Sequence, residues 1–255
     1  MNKRTFTKTY ATEPQRVTAQ RNHEWLSRHA DPMILPPITG VRWNTLSFAH
    51  IEGRHAQPRD LERIAEHLGA CHGAAWRSTL HKARLTKAHV SDGHVLPGFL
   101  GPRAAALGRR FRAGHITTAQ TLDDVLACLH RAADGPAAFY KDTNPRNILI
   151  TPSGPPVTID TDDLSLAPFG YDLAKLVVTL SMTYGPFTVD RIGRALTAYN
   201  TAAATHHPRL GQATLAQFME HADLHGIFTA PYLGRGGYRR PWTRVRPTPG
   251  RETCS

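Results

Sequence analysis

Two carboxylates and an amide stand at spacings that suit a hard cation. Asp142 follows the apolar lead-in Ala137–Tyr140 and the cation Lys141, and Asn147 comes five residues later at the head of Ile148-Leu149-Ile150. Pro152-Ser153-Gly154 reads as a turn, after which Pro155 to Ile159 rise as a second strand and end on Asp160. A hairpin of that shape brings Asn147 and Asp160 to one end, close to Asp142. Carboxylate and amide oxygens of this kind suit Mg²⁺ better than zinc or iron. None of the fifteen histidines forms a metal set, and His72, on one face with Leu68, reads as a core residue.

The elements that must position these groups follow from periodicity. Residues 4–11 alternate as a strand carrying Phe6, Lys8 and Tyr10, and a polar amphipathic helix runs from about Arg16 to Ala30 with Glu24 on it. Thr45 to Ile51 reads as one or two further strands. From Ile51-Glu52-Gly53 to about residue 135 the pattern is helical, with a loop at Ser91-Asp92-Gly93 and a capping box at Thr117 and Gln120. Tyr171–Met182, Val189–Tyr199 and Leu215–Ala222 read as three more helices. The pattern gives an α+β chain in three parts: a small strand-rich lobe with hinge at 1–53, a larger helical lobe at 54–233, and a basic Gly/Pro/Arg-rich tail at 234–255, expected to be solvated and disordered.

A chain of 255 residues with 40% hydrophobic content can bury a sizeable core. Cys71, Cys128 and Cys254 have neither disulfide nor metal-knuckle spacing and read as reduced thiols. No apolar run is long enough to span a bilayer, so a cytoplasmic protein is expected. The formal charge of +11 is the outlier, and much of it lies in the tail, where Tyr238 and Trp242 could stack on bases. A nucleic-acid arm is therefore a third, distant function, and nucleic acid is not an expected partner.

Taken together, Tyr140-Lys141-Asp142-Thr143-Asn144-Pro145-Arg146-Asn147, the strand ending Ile159-Asp160, Tyr171-Asp172-Leu173-Ala174, Ile51-Glu52-Gly53 and Leu68-Gly69-Ala70-Cys71-His72 resemble the aminoglycoside phosphotransferase and choline-kinase-like family. The resemblance spans roughly Lys8 to Leu180. It implies a two-lobed protein-kinase-like fold and transfer of a nucleotide γ-phosphate, from ATP or GTP, to a hydroxyl with Mg²⁺. On that basis Asp142 is the catalytic base, with Lys141 beside it to neutralise transferring phosphate or to face solvent. Asn147 and Asp160 hold the metal. Lys8 reaches the nucleotide phosphates with Glu24 as its ion-pair partner, and Phe48, His50 and Ile51 border the nucleotide at the hinge. Tyr140, where the family usually has His, and Asp172 support the catalytic loop.

Two features depart from the family or narrow its range. Only seven residues precede Lys8 and none is glycine, so the N-lobe is shortened and lacks the glycine-rich loop. This leaves open a nucleotide held without that lid, a further segment upstream, or a pseudokinase that binds and regulates. Beyond Leu176 the acids are Asp190, Glu220, Asp223 and Glu252 alone, which leans away from a polycationic acceptor toward a neutral or anionic hydroxyl compound or a peptide Ser/Thr.

Overall fold

Alternating Thr with Phe and Lys at the start of the chain forms strand β1 (Thr5–Thr9) in the computed structural model, which describes residues 4–152 and 154–247. Thr12 caps helix α1 (Glu13–His29), accepting from the Gln15 amide at 3.4 Å. Pro14 fits the first turn, where its missing N–H is no loss, so the helix begins three residues before the Arg16 that periodicity indicates. Strands β2 (Ile38–Arg42) and β3 (Thr45–Ala49) form a hairpin, and β3 pairs with β1 on its other edge. Lys8 thereby stands opposite Leu46 and Phe6 opposite Phe48. Tyr10, Ala19 and Leu46 make the small core beneath this sheet.

Helix α1 ties the sheet to the rest of the molecule: Ala19 packs under the strands, whereas Trp25, Leu26 and Ala30 enter a larger core with Cys71, Leu80 and Phe139. After the linking segment come β4 (Arg54–His55) and α2 (Leu61–Ser78). The stretch expected as a loop is a hairpin of β5 (His89–Ser91) and β6 (His94–Leu96), because Asp92-Gly93 takes two consecutive left-handed conformations, φ 50° and 72°. Helix α3 (Leu100–Arg112) precedes α4 (Ala119–Ala132), which is capped by Thr118, one residue beyond the expected Thr117. Gln120 bonds Asp124 instead of closing a capping box.

The strands β7 (Ala137–Tyr140), β8 (Ile148–Ile150), β9 (Val157–Thr158) and β10 (Ser165–Pro168) follow. β7 pairs with β10, and β8 lies between β4 and β9. Helix α5 (Tyr171–Tyr184) is almost entirely buried, with α7 (Leu215–Thr229) packed on it, while α6 (Val189–Ala204) packs on α2. Gly69 lets α2 and α6 meet backbone to backbone, since a Cβ there would overlap the Tyr199 carbonyl. The outcome is a small antiparallel sheet lobe and a larger helical lobe with the β8–β9 hairpin at their junction. Among the described residues no helix is long and apolar enough to cross a membrane.

Residues 234–247 correct the expectation of a solvated tail. Tyr238 and Trp242 are only 8% and 6% exposed, and the short helix α8 (Trp242–Val245) belongs to the main core. Trp242 Nε1 donates to Asp223 at 2.8 Å, Arg246 grips the same carboxylate at 2.8 and 2.9 Å, and the amides of Arg239 and Arg240 donate to the Met182 carbonyl. The glycines supply turns, and the two aromatics supply area worth burying. Those aromatics are therefore not free to stack on bases. The rest of the tail, with Arg251, Glu252 and Cys254, lies outside the described residues.

Candidate active site

The catalytic loop is shaped from below by one buried carboxylate. Asp172, at the first turn of α5 and fully buried, accepts from the amides of Lys141 (3.2 Å) and Thr143 (2.8 Å) and from the Thr143 hydroxyl (2.6 Å). Gripping the amides on both sides of Asp142 turns that residue into the left-handed region at φ 56°. Such backbone costs an ordinary residue about 1–3 kcal/mol and persists only where the surroundings impose it. The Asp142 carbonyl accepts from the Asn144 amide (2.6 Å) and from Asn147 Nδ2 (3.0 Å), which closes the loop. Burial raises the pKa of Asp172 above the ordinary carboxylate value, and the Thr143 and Lys141 donors offset only part of that rise.

Two further groups set the Asp142 carboxylate. The Tyr140 hydroxyl donates to Oδ1 at 2.9 Å, and Lys175 Nζ, one helical turn beyond Asp172, lies 3.5 Å from the same oxygen. Burial alone would lower the Lys175 pKa, but Asp142 and its neighbours raise it above the ordinary lysine value. Burial and the nearby carboxylates push the Tyr140 phenol well up. Lys141 is 2% exposed, which overturns a solvent-facing loop lysine, and its ammonium donates inward to the Ile159 carbonyl at 3.4 Å. The lysine whose ammonium lies beside the Asp142 carboxylate is Lys175.

The hairpin register gathers the oxygens. Ile148 pairs with Thr158 and the Ile159 amide donates to the Asn147 carbonyl at 2.8 Å, so Asn147 and Asp160 share one end. Asp160 is also left-handed, φ 67°. Opposite them a cleft of about 560 Å³ is bordered by Lys8, Phe48, His50 and Ile51, within the size range of small-molecule sites. Lys8 donates to Asp160 (2.9 Å) and Asp162 (2.6 Å). Burial opposes the charge on Lys8, yet these two carboxylates raise its pKa; in return Lys8 holds Asp160 low, while burial and Asp160 hold Asp162 high.

Glu24 is not part of this constellation. It is exposed, accepts from Gln20 at 2.8 Å, and borders a separate hollow with Arg28 and Asp92. The inward face of α1 carries Ala19, Asn22, His23 and Leu26, so Glu24 falls on the opposite side. What α1 sends to the site is Asn22, whose amide donates to the carbonyls of Thr161 (2.8 Å) and Asp162 (2.9 Å).

The donor set fits a hard cation. Asn147 spends its amide nitrogen on the Asp142 carbonyl, which leaves Oδ1 without a hydrogen-bond partner among the described residues, and the residue borders the same cleft as Asp160. No three His, Cys, Asp or Glu side chains converge as a metal set among the described residues, so a cation here would complete its shell with phosphate and water oxygens.

Asp162, Asn22 and Lys175 are the participants that residue spacing did not single out. Lys175 carried a readable signal, since it follows Asp172 at i+3 and therefore shares its helix face.

The sequence pattern of the phosphotransferase enzyme family matches residues 17–209. No curated protein matches by sequence. Among solved structures, a Thermobifida fusca protein assigned as a fructosamine-3-kinase is similar with TM-score 0.60 and 20% identity, over 92% of this chain and 81% of that one. A Plasmodium vivax ethanolamine kinase is similar with TM-score 0.56 and 11% identity, over 89% and 68%. An amicoumacin kinase in complex with AMP-PNP, Ca²⁺ and Ami is similar with TM-score 0.55 and 12% identity, over 89% and 73%. At these identities the likeness concerns the fold, which is kinase-like and two-lobed.

Proposed function

This chain belongs to the phosphotransferase enzyme family, and on that premise we propose that it moves the γ-phosphoryl group of ATP or GTP onto a hydroxyl of a small molecule. The observation that carries this reading is the convergence of Lys8, Asn147 and Asp160, from three separate chain segments, on one cleft at the lobe junction, with Asp142 tied to it by the hydrogen bond from Asn147 to its carbonyl. Asp142 takes the hydroxyl proton as the acceptor oxygen bonds to phosphorus and the bond from phosphorus to the bridging β–γ oxygen breaks, leaving ADP and a phosphate ester. General-base assistance of this kind contributes about 10² to 10⁴ in rate. Lys8 meets the nucleotide phosphates, and Phe48, His50 and Ile51 border its base. Asn147 and Asp160 would hold Mg²⁺, which offsets phosphate charge when bound. The amicoumacin kinase of similar fold, in complex with AMP-PNP and Ca²⁺, supports a nucleotide and a divalent ion as ligands.

The test is paired. ATP with Mg²⁺ raises the melting temperature of the wild-type protein, and Asp142→Asn retains that rise while its ADP formation drops at least a hundredfold. No melting shift, together with equal background hydrolysis in the two proteins, rejects the reading.

One observation favours a pseudokinase as second reading: α1 offers Lys8 no carboxylate, and Lys8 pairs instead with Asp160 and Asp162. A nucleotide-dependent melting shift without Asp142-dependent ADP formation would select that alternative.

A further inference from the structure

The part of the site beyond Asp142 is built from cations. Lys175 has only 11% of its side chain exposed and lies against Asp142. Arg103 holds its guanidinium 4.9 Å from the Tyr140 ring centre and donates to the Tyr171 hydroxyl at 3.1 Å. Arg146, on the catalytic loop itself, stretches along a glycine segment: a Cβ placed on Gly237 would stand 2.8 Å from Arg146 Nη2, and one on Gly236 3.8 Å from Nη1. That segment is fastened to the loop where Asn144 Nδ2 donates to the Tyr238 hydroxyl at 3.3 Å. Residues 234–240 therefore form a wall of the catalytic loop, and Arg146 lies on it, exposed and with no acceptor for its guanidinium among the described residues.

The opposing acids are few. Asp142 is committed to the hydroxyl, and partial burial with the charges of Asp142 and Asp162 raises the pKa of Asp163 above the ordinary carboxylate value. Asp223, the nearest acid of the C-terminal part to this segment in sequence, is spent on Arg246 and Trp242. A polycationic acceptor would meet Lys175 and Arg146 with Asp163 alone as an exposed acid without a partner among the described residues nearby, whereas an anion would find a planar guanidinium able to donate two parallel hydrogen bonds. The bare backbone of Gly236 and Gly237 leaves room above it.

We propose that the acceptor is an anionic alcohol, a hydroxyl compound bearing phosphate or carboxylate, whose anionic group rests on Arg146 against the Gly236-Gly237 segment. The inference builds on the phosphotransferase reading and specifies the acceptor of that same site.

The experiment separates a small-molecule cell extract by ion exchange into anionic, neutral and cationic pools and offers each to the full-length protein with MgATP. Wild type and Asp142→Asn are compared for ADP release. The expected result is Asp142-dependent ADP release with the anionic pool, and prior phosphatase treatment of that pool tells phosphate esters from carboxylates. In Arg146→Met the half-saturating amount of the active pool rises about tenfold or more while the maximal rate changes little, as loss of a charge-assisted hydrogen-bond pair requires. Arg146→Lys recovers part of the loss at an unchanged fold by circular dichroism. Asp142-dependent release with the neutral or cationic pool, or with none, overturns the proposal, as does an Arg146→Met protein that saturates like wild type. Failure of the phosphotransferase reading looks different: MgATP gives no melting shift and the Asp142→Asn background equals wild type.

Discussion

At the scale of single residues, Asp142, the proposed base, has its backbone and side chain both fixed by neighbours. Asp172 holds the amides flanking Asp142, Tyr140 donates to its carboxylate, and Lys175 stands beside the same oxygen. On the proposed reaction the ammonium would do two things there: hold the Asp142 carboxylate in place, and offset negative charge as phosphate approaches. Both effects act on the transition state more than on nucleotide binding. Lys175→Met should therefore lower kcat by about one to two orders of magnitude, in line with loss of a single charge-assisted contact, while KM for MgATP moves less than threefold. Lys175→Arg should return part of kcat. A proportional loss of folded protein with no kcat effect on the remainder would assign Lys175 a packing role only. Lys141 behaves in the opposite way to its sequence context. Adjacent to the base, it is buried by the grip of Asp172 on its own amide, and burial lowers its pKa against the pull of Asp172, Asp142 and Asp160.

At the scale of elements, what the sequence made legible was local and what it hid was rotational. The β8–β9 hairpin could be read because a turn, two apolar runs and two polar termini lie within twenty residues, and their register follows from period two. The pairing of Lys8 could not, because a lysine on a strand and a glutamate on a helix meet only if the helix presents that face. Trp25 and Leu26, drawn into the larger core, rotate α1 so that Asn22 meets the Asp162 segment and Glu24 meets solvent. Residues 234–247 depart from the compositional expectation for a related reason: Gly and Arg signal solvation, yet Tyr238, Trp242 and Val245 are enough to seat this segment on the core. Helix contacts also carry the site. The Tyr199 hydroxyl on α6 bonds His72 of α2 at 2.7 Å and accepts from the Gly170 amide at 3.0 Å, just ahead of Asp172. Gly69 permits that approach, and a methyl group there must overlap the backbone of Tyr199 rather than a yielding side chain. Gly69→Ala should cost about 1–3 kcal/mol by overpacking. For a chain of this size that is a fall of roughly 2–10 °C in melting temperature. An unchanged melting temperature would mean that α2 and α6 are not held at the separation seen here.

At the scale of the whole molecule, the buried histidines make stability depend on pH with a definite sign. Burial lowers the pKa of His72 to about 3 and of His221 to about 4, and takes His225 well below the ordinary value, helped by Lys175. His225 donates from Nε2 to the Tyr171 carbonyl at 2.9 Å and stacks on Tyr140, so its protonation would put a charge among Lys175, Arg103 and the aromatic floor of the catalytic loop. Below about pH 6.5 the unfolded chain binds protons at these three positions that the folded chain does not, so stability is fully present above that pH and declines as pH falls. Each such histidine contributes a slope of up to ~1.4 kcal/mol per pH unit. Between pH 7 and 5.5 the three together remove about 3–4 kcal/mol, a melting-temperature decline of roughly 10 °C. Carboxyls held high by burial, Asp163 and Asp172 among them, act in the opposite sense, since the folded chain keeps their protons at a pH where the unfolded chain has released them. The slope of melting temperature against pH is therefore the informative quantity, compared between wild type and His225→Gln. Glutamine can still donate to the Tyr171 carbonyl but does not titrate, so the variant should lose about a third of the histidine-driven slope above pH 5.5. Parallel slopes in the two proteins would show that His225 is free to take up its proton in the folded state, and that the floor of the catalytic loop tolerates a cation there.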